Sequence, residues 1–303
     1  GGRHALSPDS IILGSYTFQY TNVNLIDKQF PLFPISSLSL KTPHERAFGT
    51  EVQHLFRSRY FNLTSGMGYF DVNGAIHQIL GITLPPPFGP LEVPSTVNSL
   101  THHFNIYSYG NLNLLNNVTL TLGASFDSLT GDFPGEDQHQ PNPKVGVTWN
   151  PFSGTTLRAA VFRALKRTLV TNQTLEPTQV AGFNQFFDDF NQTRYWTYGG
   201  AIDQKFTSSL LGGTEVTRRN LTVPFIGSGV QHEADWTEQL ARTYLFWTPS
   251  PLLAIRAEYQ YERLRRGDQF SNGVPRLDTH RVPLGLTFFH PSGFSTMLTA
   301  TYF

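Results

Sequence analysis

Hydrophobic and polar residues alternate along most of this chain with a period of two. In residues 117–127 every second residue from Val118 to Phe126 is hydrophobic, and the other positions include Thr121 and Asp127. Residues 253–261 repeat the pattern, with charged or amide side chains at most of the intervening positions. Alternation of this kind is typical of a β-strand with two unlike faces. One face is expected to meet lipid and the other water.

The same pattern predicts thirteen strands. Their approximate spans are 10–21, 46–57, 60–71, 102–115, 117–128, 143–150, 155–164, 195–206, 208–220, 234–248, 251–263, 279–289 and 293–303. The connections alternate between short turns and long loops, and the long loops span about 22–45, 72–101, 129–142, 165–194, 221–233 and 264–278. Short periplasmic turns and long external loops are typical of outer-membrane barrels. The predicted fold class is therefore an all-β, antiparallel transmembrane β-barrel of the outer-membrane type.

The odd strand count has a consequence for closure of the barrel. An antiparallel sheet with an odd number of strands cannot close without a parallel seam, and an open edge in hydrocarbon leaves backbone groups unpaired. We therefore expect residues 1–303 to be a single incomplete barrel domain, part of a larger barrel and without a plug domain. No signal peptide is visible at Gly1, so we expect a processed chain or a fragment.

Composition supports a wall between lipid and water and excludes several other functions. Only 15% of residues are charged, 14% are aromatic, the formal net charge is zero and cysteine is absent. Nucleic acid is not an expected partner, because no net positive charge attracts it. The ten histidines show no metal-ligand spacing, no cofactor motif is present, and no catalytic motif was found. The chain is therefore not expected to be an enzyme, and we expect no cofactor and no metal.

Aromatic residues near strand ends predict two membrane girdles. Trp149, Trp247 and Phe288 precede short turns, and Trp196 lies toward the opposite end of its strand. Charged residues at inward positions predict a lumen lining that contacts a plug or selects solute; the candidates are Arg158, Asp203, Glu215, Arg256, Glu258 and Glu262. The alternative is that these positions are polar only because inward positions of a barrel are wet.

The loop at 165–194 contains the candidate ligand-binding residues. They are Lys166, Arg167, Phe186, Phe187, Asp188 and Asp189. Aromatic and acidic side chains at a loop tip are able to bind a ligand, a sugar or calcium. The alternative is structural, with residues 178–189 extending the following strand above the membrane.

Three neighbouring motifs resemble a known family. Residues 142–151 read Asn-Pro-Lys-Val-Gly-Val-Thr-Trp-Asn-Pro, residues 155–160 read Thr-Thr-Leu-Arg-Ala-Ala, and Leu-Glu-Pro follows at residues 175–177. In this order they resemble the barrel of TonB-dependent outer-membrane receptors. The resemblance implies a large plugged barrel in the bacterial outer membrane that takes up a ligand captured by long extracellular loops. It also implies contact with outer-membrane lipid and with an energy-coupling periplasmic protein or other components of an envelope complex.

Two alternatives remain open at this point. One is a structural or export barrel attached to a periplasmic repeat domain. The other is a general porin, which requires an open lumen and an inward-folded loop.

Overall fold

The computed structural model consists of β-strands and their connections. It describes residues 1–27, 35–82, 89, 91–131, 137–167, 173–185, 188–227, 230–267 and 274–303. No helix long and apolar enough to span a membrane occurs in these ranges.

Fourteen strands form one sheet in which every neighbouring pair is antiparallel. They are β1 (Gly2–Ser7), β2 (Ser10–Asp27), β3 (Ile35–Arg57), β4 (Phe61–Ile82), β5 (Leu91–Leu115), β6 (Val118–Gly131), β7 (Gln138–Phe152), β8 (Thr155–Leu165), β11 (Arg194–Lys205), β12 (Leu210–Gly227), β13 (Val230–Ser250), β14 (Leu253–Arg266), β15 (Arg276–Phe289) and β16 (Ser295–Tyr302). Two further strands, β9 (Gln179–Val180) and β10 (Phe183–Asn184), form a separate hairpin between β8 and β11.

The sheet follows chain order from β1 to β16, apart from the β9–β10 hairpin. All thirteen predicted strands are present, but the count for this sheet was one too low because β1 was missed, and the β9–β10 hairpin was not predicted. Strand β1 pairs with β2 across a turn at residues 8–9, and its short sequence has no clear alternation. β1 and β16 form the two edges and do not pair with each other in the described structure. The sheet therefore does not close within this chain, as predicted. The reason given for that prediction was wrong, because the sheet contains fourteen strands and the count is not odd.

The strands extend much further than their hydrophobic pattern predicted. β3, β4 and β5 contain 23, 22 and 25 residues. Together with β2 they occupy most of the positions assigned to the long loops at 22–45 and 72–101, so those two assignments were wrong. The loops predicted at 129–142 and 221–233 were wrong for the same reason, because β6, β7, β12 and β13 extend into them. A barrel strand needs only about ten residues to cross a membrane. The remaining length is stabilised by cross-strand backbone hydrogen bonds, which do not require hydrophobic alternation.

Burial separates the two faces of the sheet as the alternation predicted. Leu122 is 42% exposed, whereas Asp127 on the same strand is 3% exposed. We call the face that contains Asp127 and Glu258 the inner face, and the opposite face the outer face. The alternation of β13 was ambiguous in the sequence. In the structure Trp236 lies buried on the inner face and Trp247 is exposed on the outer face.

Candidate functional site

The described part of the connection between β8 and β11 lies against the inner face of the sheet. The β9–β10 hairpin places Val180 and Phe183 against the wall, where their side chains are 0% and 1% exposed. They pack in one hydrophobic cluster with Tyr109 and Phe162. We call residues 173–185 the inward segment. It lies over the wall strands, so the structural alternative, an extension of the following strand, was wrong.

Small residues in the wall make room for the hairpin. A Cβ atom added to Gly199 would lie 2.5 Å from the ring of Phe183, and one added to Gly146 would lie 2.6 Å from the Cβ of Ala181. The two-residue hairpin turn has positive φ at both positions, 47° at Ala181 and 85° at Gly182. This combination is the type I′ turn, which matches the twist of paired strands. The wall and the hairpin are therefore complementary in shape.

A buried arginine anchors the base of the inward segment. Arg167 is 2% exposed, and its Nη2 lies 2.8 Å from Oε2 of Glu176. Tyr109 donates a hydrogen bond of 2.5 Å to the other oxygen of Glu176, and Asp127 lies 3.7 Å from the guanidinium. Burial lowers the pKa of the Arg167 guanidinium, but Glu176 and Asp127 outweigh this effect and the net shift is upward. Arg167 is therefore charged inside the protein.

A second set of contacts joins the inward segment to β3. Glu51 accepts hydrogen bonds from the backbone N–H of Leu175 at 3.0 Å and from the hydroxyl of Thr174 at 2.6 Å. Gln53 donates to the carbonyl of Leu175 and to the hydroxyl of Tyr107. Because these polar groups are buried and satisfied, the segment is fixed at two separate places on the wall.

Asp127 is the centre of a polar network behind the anchor. His103 lies 2.8 Å from one carboxylate oxygen, and Asn142 donates to the other at 2.6 Å. Asn105 donates to both Asp127 and Glu176. These residues come from β5, β6 and β7, so the network joins three wall strands to the inward segment.

The six predicted lumen residues all lie on the inner face, where they form ion pairs. Arg158 contacts Asp203 at 2.8 Å and Glu215 at 3.3 Å. Tyr244 also donates to Asp203. The Arg158 guanidinium lies 5.2 Å from the ring centroid of Phe183, so this group touches the hairpin.

The remaining three predicted lumen residues belong to β14. Arg256 lies 2.6 Å from Glu258, which Arg242 also contacts at 2.8 Å. Glu262 pairs with Arg281. The inner face therefore presents alternating positive and negative groups along several strands.

The structure divides the predicted ligand-binding residues among different places. Lys166 is half-buried and its backbone bonds to Thr193 and Gln192. Arg167 was expected at an exposed loop tip, which was wrong because it forms the buried anchor. Asp188 is exposed and Asp189 pairs with Arg219. Phe186 and Phe187 lie outside the described residues.

Asp188 and Asp189 lie at a polar cavity of about 370 Å³ on the inner face. Its charged lining also includes Arg219, Glu238, Arg242, Glu262 and Arg281. Four members of this group were not predicted from the sequence, namely Arg219, Glu238, Arg242 and Arg281. The alternation of their strands could have identified them, since each occupies an inner-face position of β12, β13 or β15. Within the residues described, no cluster of histidine and acidic side chains is suited to a metal ion.

The predicted girdle residues lie on the outer face. Trp149, Trp247 and Phe288 are exposed near the short turns. Trp196 is exposed nearer the opposite end, paired with Arg163 of β8.

Comparison with known proteins identifies the type of wall. The model of the family described as TonB dependent receptor-like, beta-barrel matches residues 5–204. No curated protein sequence matches the chain.

Solved structures with the same fold are receptors and a transporter. The copper transporter OprC superposes with a TM-score of 0.65 at 10% identity, over 94% of this chain and 48% of that protein. The receptor FpvA of P. aeruginosa, bound to heterologous pyoverdines, gives 0.65 at 9% identity, over 99% and 48%. BauA, the ferric preacinetobactin receptor of Acinetobacter baumannii, gives 0.65 at 9% identity, over 99% and 50%.

The chain thus spans about half the length of these solved relatives. At such low identity the superpositions show the fold alone, whereas the family match covers about two thirds of the chain. The chain therefore belongs to the TonB-dependent receptor-like β-barrel family and is part of an outer-membrane β-barrel wall.

Proposed function

We propose that the chain forms the wall of an uptake receptor that transports a scarce ligand across the outer membrane. The main support is the inward segment, which is held on the inner face by the buried Arg167–Glu176 pair and by Glu51. A wall that keeps a charged, fully packed segment on its inner face narrows the path along that part of the barrel. Such narrowing suits selective uptake better than free diffusion.

In this proposal the charged inner face is the lining of the path. Arg158, Asp203, Glu215, Arg256, Glu258 and Glu262 line it. Their ion pairs leave little net field, so the lining favours a polar ligand without a strong preference for one sign of charge. The girdle residues Trp149, Trp196, Trp247 and Phe288 anchor the outer face at the two headgroup layers.

The cavity beside Asp188 and Asp189 is the proposed first contact of the ligand. It combines arginine and carboxylate groups, which bind hydroxyl, carboxylate and metal-chelating oxygen groups through charge-assisted hydrogen bonds. The solved relatives include a copper transporter, a receptor bound to ferripyoverdine and a receptor for ferric preacinetobactin. By analogy, a scarce metal ion or its chelate is the ligand class that we propose here.

We further propose that uptake is energised through a periplasmic coupling protein. The test compares cells that produce the protein with cells that lack it, using ⁵⁵Fe(III)-pyoverdine, ⁵⁵Fe(III)-preacinetobactin and ⁶⁴Cu as probes. Protein-dependent accumulation of one probe that stops when the proton-motive force is dissipated supports the proposal. Equal accumulation of every probe in both strains would contradict the ligand class.

A general porin is the second candidate, because the inward segment is also the feature that a porin requires. A porin gives a steady ion conductance in planar bilayers and accumulation that is insensitive to uncouplers. Steady conductance of the purified protein, together with unchanged accumulation after uncoupling, would therefore favour the porin over the energised receptor.

A further inference from the structure

A group of arginines lies on the outer face of strands β8 to β15, toward the ends that lead into the long connections. Strand pairing aligns them in neighbouring rows. The row that begins with Arg163 and Trp196 continues across β12 and β13 to Arg265 and Arg276. We call the group the arginine patch, and its members are Arg163, Arg194, Arg218, Arg263, Arg265 and Arg276.

The patch begins where the apolar part of the outer face ends. On β14 every outer-face position from Leu253 to Tyr261 is hydrophobic, and Arg263 and Arg265 follow. Eight residue steps along a strand tilted by about 40° rise roughly 20 Å, close to the roughly 25 Å of a barrel's apolar band. The patch therefore lies at the level of the lipid headgroups, on the side of the long external loops.

The patch has an excess of positive charge. Three acidic residues share this part of the outer face, namely Glu233, Asp235 and Asp278. Arg194 pairs with Glu233 at 2.5 Å, and Asp278 pairs with both Arg263 and Arg276.

The other three members of the patch are Arg163, Arg218 and Arg265. In the part of the chain that the structure describes, no carboxylate pairs with Arg163, Arg218 or Arg265. Arg218 and Arg265 are exposed. Arg163 is half-buried, and the Nε of Arg218 donates a hydrogen bond of 3.1 Å to Asn220. Within the described structure, no carboxylate competes with an external anion for these three guanidinium groups.

The other half of the wall differs at the same level. On the outer faces of β2 to β7 the corresponding positions include the aromatic residues Phe18, Tyr69, Phe104 and Phe126, and the His102–Asp71 pair lies among them. Arg46 is the one arginine or lysine there among the described residues. The excess of positive charge is therefore local to one side of the described wall and does not continue around it as a uniform basic rim.

Guanidinium groups at a membrane surface suit phosphate, which they bind through parallel hydrogen bonds. We propose that the arginine patch binds the phosphate groups of a phosphorylated glycolipid in the outer leaflet, with Trp196 and Tyr198 packed beside its acyl chains. The lipid is assigned to the outer leaflet because the patch lies at the strand ends that lead into the long external connections. Because these residues lie on the outer face, they do not contact the proposed uptake path, and the proposal is independent of the transported ligand.

The test uses the protein purified in a non-ionic detergent and measures binding of diphosphorylated lipid A by native mass spectrometry. The triple variant Arg163→Gln, Arg218→Gln, Arg265→Gln is expected to bind at least tenfold more weakly than the wild type. Arg46→Gln is the matched control, on the same face and at the same level, and it is expected to bind as the wild type does. Folding is checked by the heat-dependent mobility of the barrel in gel electrophoresis.

Two further lipids identify the chemistry. Dephosphorylated lipid A is expected to bind at the level of the triple variant, and phosphatidylglycerol is expected to bind more weakly than lipid A. Equal binding of the dephosphorylated lipid would overturn the role of phosphate, and equal binding of phosphatidylglycerol would overturn the glycolipid assignment. If the triple variant does not fold, Arg218→Gln and Arg265→Gln are tested singly, and wild-type affinity in both overturns the proposal.

Discussion

Two adjacent glycines of β11 allow a sharp test of how the inward segment is held. Gly199 faces the hairpin, and a Cβ added there would lie 2.5 Å and 2.6 Å from two ring carbons of Phe183. Gly200 faces outward, and a Cβ added there would meet no atom within 4 Å. Gly199→Ala therefore forces the Phe183 ring to move, whereas Gly200→Ala changes the same strand by the same amount without a clash.

The expected size of the effect follows from the overlap. Carbon atoms are in optimal contact at about 3.5–4.0 Å, so the added methyl overlaps the ring by about 1 Å or more. Overpacking of this kind costs about 1–3 kcal/mol. If the hairpin responds by leaving the wall, its undocked population rises by about 5- to 150-fold.

The natural absence of cysteine provides the assay. A single Val180→Cys substitution places the only thiol of residues 1–303 at a fully buried position of the hairpin, where it reacts with a thiol reagent only after undocking. Labelling is expected to be faster in the Gly199→Ala background and unchanged in the Gly200→Ala background. Equal labelling rates in the two backgrounds would show that Phe183 does not rest against Gly199.

Three further predictions use the same wall. Glu176→Gln removes the nearest carboxylate from buried Arg167 and is expected to weaken docking of the hairpin by about 3 kcal/mol. Adding Arg167→Met should recover part of this loss in the thiol-labelling assay. No recovery would argue against a direct pair between Arg167 and Glu176. Tyr109→Phe removes the 2.5 Å bond to Glu176 and is expected to weaken docking by about 1.5–3 kcal/mol, so labelling as slow as in the parent would contradict that bond. In single-tryptophan variants, brominated lipid is expected to quench Trp149, Trp196 and Trp247 but not inner-face Trp236; strong quenching of Trp236 would invert the assignment of the faces.

The wall was predictable because the interactions that form it are between residues close together in the sequence. Each strand contains its own two-sided pattern, and each neighbour follows directly, so Leu122 and Asp127 were assigned to the correct faces from their parity alone. The ends of the strands were not predictable in this way. Beyond the membrane no lipid selects one face, and the pairing of β4 with β5 continues through backbone hydrogen bonds, which do not require hydrophobic alternation.

The inward segment was not predictable, because its position depends on residues far away in the sequence. Glu51 and Thr174 are 123 positions apart, and nothing in either neighbourhood indicates the other. Arg167 and its acidic neighbours resembled an exposed polar loop, since charge in a connection is most often solvated. Glu176 was visible only as part of a motif and not as the partner of a buried arginine.

These long-range contacts also imply an order of assembly. Hairpins such as β6 and β7 close short segments, whereas joining Glu51 to Thr174 requires the intervening strands to be paired and curved already. Seating of the hairpin is thus expected as a late folding event. Chains in which the wall has not yet bent far enough would leave Arg167 and Glu176 in water, open to proteases until the curvature is complete.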